Sequence, residues 1–134
     1  MMEKLKEIMV VDDEAGIRAL LSDALIQEGY NVTLAINGKD SLKRLKNRKF
    51  DLLITDVNMP QLNGLELIKM MKKRGRREKV ILISGEPVDH DLLNKESMPV
   101  FAQLRKPFGM NQFIDTVISA LESKGAKSKR RNAA

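Results

Sequence analysis

Short apolar runs and stretches of helical period alternate along the chain from one end to the other. Residues 7–11, with Ile8, Met9, Val10 and Val11, predict a first strand. Residues 14–28 place Ile17, Leu20, Leu21, Ala24 and Leu25 on one helical stripe, and Gly29 supplies the residue that ends the helix. Residues 31–36 predict a second strand in which Val32, Leu34 and Ile36 alternate. Asn37 and Gly38 then open a short, basic, exposed helix with Leu42 and Leu45 facing inward. The uninterrupted run Leu52, Leu53, Ile54 predicts a strand covered on both faces, as in a parallel sheet. It ends in Asp56 and is stopped by Pro60. After a loop over 57–62, residues 63–74 predict a helix, with Asn63 and Glu66 at the spacing of a reciprocal cap and Gly75 beyond it. Residues 80–83 predict a fourth strand, ending at Ser84 and Gly85. Residues 87–97 predict a weak helix with only Leu92 and Leu93 as clear anchors. Residues 100–104 predict a fifth strand, with Val100, Ala102 and Leu104 on one face and Phe101, Gln103 and Arg105 on the other, and residues 110–123 a last helix with Phe113, Val117, Ile118 and Leu121 inward. This alternation predicts an α/β fold, a doubly wound parallel sheet of five strands with five helices.

Composition narrows the class without changing that picture. The 134 residues, 43% hydrophobic and 31% charged, suit one globular domain with a core. There is no cysteine, so disulfides and thiolate metal sites are excluded. No apolar run approaches the roughly 20 residues that span a bilayer, and the N-terminus lacks the apolar stretch of a signal peptide. Membrane insertion is not expected, and a cytoplasmic location is. The net charge of +6 is unevenly placed, since residues 124–134 carry five bases and no acid. The expected organisation is a domain over residues 1–123 and a disordered basic tail over 124–134. Residues 69–79 hold seven bases and one acid. Such a run reads first as a solvated helix face. With no interleaved aromatics for stacking, nucleic-acid binding is not expected.

Candidate chemistry lies at the strand ends. Asp12 and Asp13 close the first strand, Asp56 closes the central one, and Lys106 follows the fifth. Each has an ordinary reading by itself: an Asp ahead of a Pro-containing loop commonly caps a turn, and a lone lysine is commonly a surface residue. Parallel strands, however, bring all four to one sheet edge, where open α/β sheets collect ligands. Three carboxylates held together repel one another and require a cation or shifted pKa values. A hard divalent ion, Mg²⁺ above all, satisfies them, and the lysine supplies positive charge for a phosphoryl oxygen.

Asp12 with Asp13, Asp56 followed by Met59, Pro60 and Gly64, Ser84, and Lys106 with Pro107 and Phe108 together resemble the receiver domains of bacterial two-component response regulators. The resemblance, to a stand-alone, chemotaxis-regulator-like receiver, covers residues 6–123. It implies a flavodoxin-like sheet of strand order 2-1-3-4-5 and a phosphorylation-dependent signalling switch. Asp56 matches the phosphoacceptor for a histidine kinase or phosphotransfer protein. Asp13 matches a direct Mg²⁺ ligand, Asp12 a ligand acting through water, and the Asn58 backbone carbonyl a further ligand beside Asp56. Ser84 matches the hydroxyl that meets the phosphoryl group, and Lys106 the lysine on its other side, with a cis bond before Pro107. Asn58 and Glu86 flank the path of the water that removes the phosphoryl group and so tune dephosphorylation. The resemblance implies a signal presented to a downstream protein by the fourth helix, fifth strand and fifth helix, around residues 87–123. The chain departs from the pattern at Gln103, the switch position, where the family usually has an aromatic residue. An aspartyl-phosphate phosphatase or ATPase is disfavoured because such sites commonly place an acid two residues after the nucleophile, where this chain has Asn58. A lone His90 between Asp89 and Asp91 reads as an exposed residue.

Overall fold

The computed structural model describes residues 4–89 and 100–123. Its strands are β1 (Glu7–Val11), β2 (Asn31–Ala35), β3 (Leu52–Asp56), β4 (Lys79–Ser84) and β5 (Val100–Arg105). Between them lie α1 (Ala15–Gln27), α2 (Gly38–Leu45) and α3 (Gly64–Lys73), and α4 (Met110–Glu122) follows β5. The strands form one parallel sheet in the order β2-β1-β3-β4-β5. The flavodoxin-like topology expected from the sequence is therefore the one observed. Four helices are present among the described residues. Of the weak helix expected over 87–97, residues 90–97 lie outside the described residues, as do His90 and the tail, and 87–89 are not helical.

The alternation of side chains along each strand divides the core into two layers. Met9, Val11, Leu53, Val80 and Leu82 point to one face and meet Leu45 of α2 and Leu67, Ile68 and Met71 of α3. Ile8, Val10, Leu52, Ile54, Ile81 and Ile83 point to the other and meet Leu21 and Leu25 of α1 and Phe113, Val117 and Ala120 of α4. Every residue of β3 is buried, which is why its sequence is a continuous apolar run rather than an alternating one.

Local signals set the element ends. Asn63 accepts the Glu66 N–H at 2.9 Å while Glu66 accepts the Asn63 N–H at 2.9 Å, the reciprocal cap expected for α3. Gly29 (φ 91°) and Gly75 (φ 74°) take left-handed conformations just past α1 and α3, where a Cβ would be strained.

Three expectations are corrected. Leu20 and Ile36 are about half exposed, because α1 buries the narrower stripe centred on Leu21 and Leu25, and β2 ends at Ala35, before Ile36. In α4, Ala120 takes a core position, while Ile118 is only half-buried. In β5, strict alternation fails because the register slips between Val80 and Ile81, which pair with Val100 and Ala102. The unpaired Phe101 is an extra residue, a bulge. Val100 therefore joins the α2–α3 layer, while Ala102 and Leu104 join the α1–α4 layer.

Gly64 ties this framework to the edge of the sheet that carries the acids. A Cβ on Gly64 would lie 2.4 Å from the Asp56 carbonyl oxygen and 3.0 Å from the Val57 Cα, and the Gly64 N–H bonds the Val57 carbonyl at 2.9 Å. Gly64→Ala forces backbone apart at the end of β3, so it should cost about 2 kcal/mol of stability. Denaturant unfolding of the two proteins measures this, and equal midpoints would contradict the close approach.

Candidate functional site

Because β1, β3, β4 and β5 run parallel and adjacent, their last residues arrive side by side. Val11 pairs with Thr55, Asp56 with Ile83, and Ser84 with Arg105. The next residues after β1 and β5 are Asp12 and Lys106. Two backbone bonds fasten the edge together, from the Val57 N–H to the Ile83 carbonyl (2.9 Å) and from the Lys106 N–H to the Ser84 carbonyl (2.8 Å).

Asp12 is 1% exposed and Asp56 is 5% exposed, whereas Asp13 is exposed. Carboxylate oxygens of the three lie within 4.8 Å of one another. Asp12 Oδ1 accepts the Glu14 N–H at 2.9 Å, and Asp56 Oδ1 accepts the Asn58 N–H at 3.2 Å. Lys106 Nζ stands 3.5 Å from Asp56 Oδ2, 3.6 Å from Glu14 Oε1 and 3.8 Å from Asp12 Oδ2. Asp12 Oδ2 is buried and has no hydrogen-bond partner among the described residues. A buried anionic oxygen left in that state costs free energy. A hard cation shared with Asp13 and Asp56 relieves both that cost and the repulsion, so the donor set fits Mg²⁺.

The electrostatics follow from this crowding. Burial pushes the Asp12 carboxyl above its ordinary value, the Glu14 N–H opposes the shift, and the charge of Asp56 adds to it. Burial likewise raises Asp56, against Lys106 and the Asn58 N–H. Burial alone would lower Lys106, but the charges of Asp12, Asp56 and Glu14 outweigh it and hold the ammonium above its ordinary value. Lys106 is thus a fixed cation at neutral pH.

The remaining expected residues fall around this cluster. Ser84 is buried, and its hydroxyl accepts the Glu86 N–H at 3.0 Å and donates to the Glu86 carbonyl. Asn58 and Glu86 are exposed at the rim. The Lys106–Pro107 bond is cis. Gln103 is not at the strand end; it lies inside β5, half-buried and paired with Leu82. Three contributors were not anticipated. Glu14 is a third acid at the lysine, and its place in the run after Asp12 and Asp13 was the available signal. Arg18 donates to the Asp12 carbonyl at 2.7 Å, and its position one turn after Glu14 was the only hint. Thr55, polar within an apolar run, donates to the Asp56 carbonyl at 3.0 Å.

The family model for the response regulator receiver domain matches residues 8–118. The chain is a member of that family. Among its relatives, sporulation initiation phosphotransferase F of Bacillus subtilis is 29% identical over 84% of the chain and 90% of its own length. The alkaline phosphatase synthesis transcriptional regulatory protein PhoP of the same species is 28% identical over 95% of the chain, which spans 54% of it. The chain spans about half the length of the transcriptional regulators it first matches. Among solved structures, Vibrio cholerae chemotaxis protein CheY4 superposes with a TM-score of 0.80 at 26% identity, covering 88% of this chain and 100% of that one. Response regulator protein TrrA from Thermotoga maritima, determined with Mg²⁺ and BeF, gives 0.76 at 33% identity, covering 87% and 100%. No helix among the described residues of the receiver domain is long and apolar enough to cross a membrane.

The raised carboxyls give the receiver domain a definite pH dependence. A carboxyl whose folded pKa lies above its unfolded value, near 3.8 for Asp12, binds its proton more tightly when folded. Its charge therefore destabilises the fold as pH rises through that window. With a chelator present, Asp12→Asn should melt above the parent at pH 7, and the gap should close as pH falls toward 3.8. Melting curves across this range check the sign; a variant less stable than the parent at neutral pH would refute it.

Proposed function

We propose that this receiver domain is a phosphorylation-dependent signalling switch that accepts a phosphoryl group on Asp56. The observation that carries the reading is the setting of that carboxylate. It is buried at the end of β3, with Lys106 Nζ at 3.5 Å and two further aspartates within metal-ligand reach. An oxygen of Asp56 attacks the phosphorus of a phosphohistidine on a kinase or phosphotransfer protein. The P–N bond breaks, its electron pair returns to the imidazole, and an aspartyl phosphate forms. Lys106 neutralises charge on the transferred group, and the Ser84 hydroxyl exchanges its bonds to Glu86 for one to a phosphoryl oxygen. Asp12, Asp13, Asp56 and the Asn58 carbonyl would hold Mg²⁺, which supplies the positive charge that lets an anionic donor approach three carboxylates.

The chain is thus a phosphoacceptor that assists its own phosphorylation and dephosphorylation, rather than an enzyme with a separate substrate. Its downstream partner is a protein that reads β5, α4 and the segment before β5. Gln103 limits that readout. An aromatic ring fills space freed when Ser84 moves, whereas burying an unpartnered glutamine amide costs about 1–3 kcal/mol. Gln103 therefore stays near the surface in both states, and the two states differ little in packing.

With Mg²⁺ and a small acyl phosphate, the parent should gain one phosphoryl mass by intact mass spectrometry. Asp56→Ala should gain none, and Asp13→Ala or chelation should suppress labelling. Labelling of Asp56→Ala at the parental level would remove the central claim. Glu86→Leu should lengthen the phosphorylated lifetime by excluding water from the exposed rim; an unchanged or shorter lifetime would end that role for Glu86.

Hydrogen exchange tests the readout. Addition of Mg²⁺ and a beryllium fluoride mimic should change protection of β5 only modestly in the parent. The change should be larger in Gln103→Tyr. Strong new protection across β5 in the parent would show effective coupling without an aromatic.

A further inference from the structure

Half of the basic side chains lie where the phosphoacceptor makes no use of them. Residues 43–49 and 69–79 hold twelve of the 24 lysines and arginines and one of the 18 acids. In the fold these segments are the C-terminal ends of α2 and α3 and the turns that lead toward β3 and β4. They meet around a pocket of about 590 Å³, within the roughly 300–1,000 Å³ typical of small-ligand sites. Phe50, in its wall, is six residues from Asp56 along β3, a span of about 20 Å. The pocket is therefore at the opposite end of the sheet from the carboxylates.

Its structure is built by one arginine. Arg76 donates to the Leu45 carbonyl at 2.8 Å and to the Arg48 carbonyl at 2.6 Å. The same guanidinium meets Glu78 at 3.0 and 2.5 Å, and the buried Glu78 carboxylate accepts the Phe50 N–H at 3.0 Å. The one acid in the lining is thus neutralised, and the carbonyl at the end of α2, which would repel an anion, is already occupied. Four exposed cations remain around the mouth: Lys46, Lys49, Arg74 and Arg77. Among the described residues none of them has an ion-pair partner. Unpaired cations around a concave, partly apolar wall recognise anions that carry an organic body.

We propose that this pocket binds a small organic phosphate of nucleotide size. Its phosphates lie among the four cations, and its uncharged body rests against Leu42 and Leu45. The Phe50 ring is covered by the Arg48 guanidinium, 4.8 Å from its centroid, so recognition rests on phosphate charge and shape rather than on ring stacking. The same feature separates this ligand from a nucleic-acid strand, which needs an extended groove with stacking platforms.

The test uses the full chain in EDTA, which keeps the carboxylate site free of metal, with ATP as the probe. Calorimetry measures affinity, and amide chemical shifts locate the site. ATP should bind with a Kd below about 1 mM and shift amides of residues 45–50 and 74–78. Pyrophosphate should bind several-fold more weakly, and adenosine should not bind. The exposed-residue variant Lys49→Glu/Arg77→Glu should weaken ATP about tenfold or more while, in a separate assay with Mg²⁺ in place of EDTA, Asp56 still takes up phosphoryl from an acyl phosphate. Lys46→Glu provides a second, independent variant, and removal of residues 124–134 should leave binding intact. No ATP binding, ATP binding indifferent to these charge reversals, pyrophosphate binding as tight as ATP, or adenosine binding as tight as ATP would each overturn the proposal. So would binding of a single-stranded oligonucleotide without binding of ATP.

Discussion

Mutual repulsion among carboxylates at one sheet edge, held in check by a single lysine, is the constraint on which the rest of this domain depends. Asp12 and Asp56 are almost fully buried, and burying like charges together is unfavourable. The fold tolerates it because the edge is pinned from several sides. Backbone N–H groups of Glu14 and Asn58 point at the acids, Arg18 and Thr55 secure the carbonyls behind them, and Lys106 lies within 4 Å of three carboxylates. One oxygen, Asp12 Oδ2, has no hydrogen-bond partner among the described residues. That residual imbalance is what suits the site to a cation.

The same edge explains where a signal would start. Ser84 closes β4 and is engaged with the backbone of Glu86, so moving its hydroxyl disturbs the turn that follows β4. Beside β4 lies β5, an edge strand already irregular at Phe101. An edge strand has fewer neighbours to hold it and is a natural place for two arrangements of similar energy. In the proposed switch, Gln103 would narrow the difference between them, since a half-buried amide has less to gain from inward rotation than an aromatic ring.

Charge is polarised along the sheet. Acids gather at the carboxyl edge, and bases gather at the ends of α2 and α3. The two ends are joined through β3, which begins just after Phe50, whose N–H bonds Glu78, and which ends at Asp56. Helix C-termini favour cations, which accounts for some of the basic residues, yet four cations around one pocket exceed what two helix ends require.

The sequence by itself determined the order of the described elements, the continuous burial of β3, the cap at Asn63, the chain-reversing glycines, and the four residues that meet at the sheet edge. These are local or topological matters: period, turn chemistry, and the rule that parallel neighbours deliver their ends together. Other features were decided only by tertiary structure. Whether Leu20 or Leu21 enters the core depends on how α1 sits on the sheet, and both fit the same helical stripe. The slip at Phe101 depends on pairing with β4, which alternation within β5 cannot report. Glu14 and Arg18 join the site because α1 starts directly beneath Asp12. Arg76 and Glu78 close their pocket across more than 25 residues of chain, from Leu45 and Phe50. Contacts of that kind carry no local period or spacing, so only the folded chain reveals them.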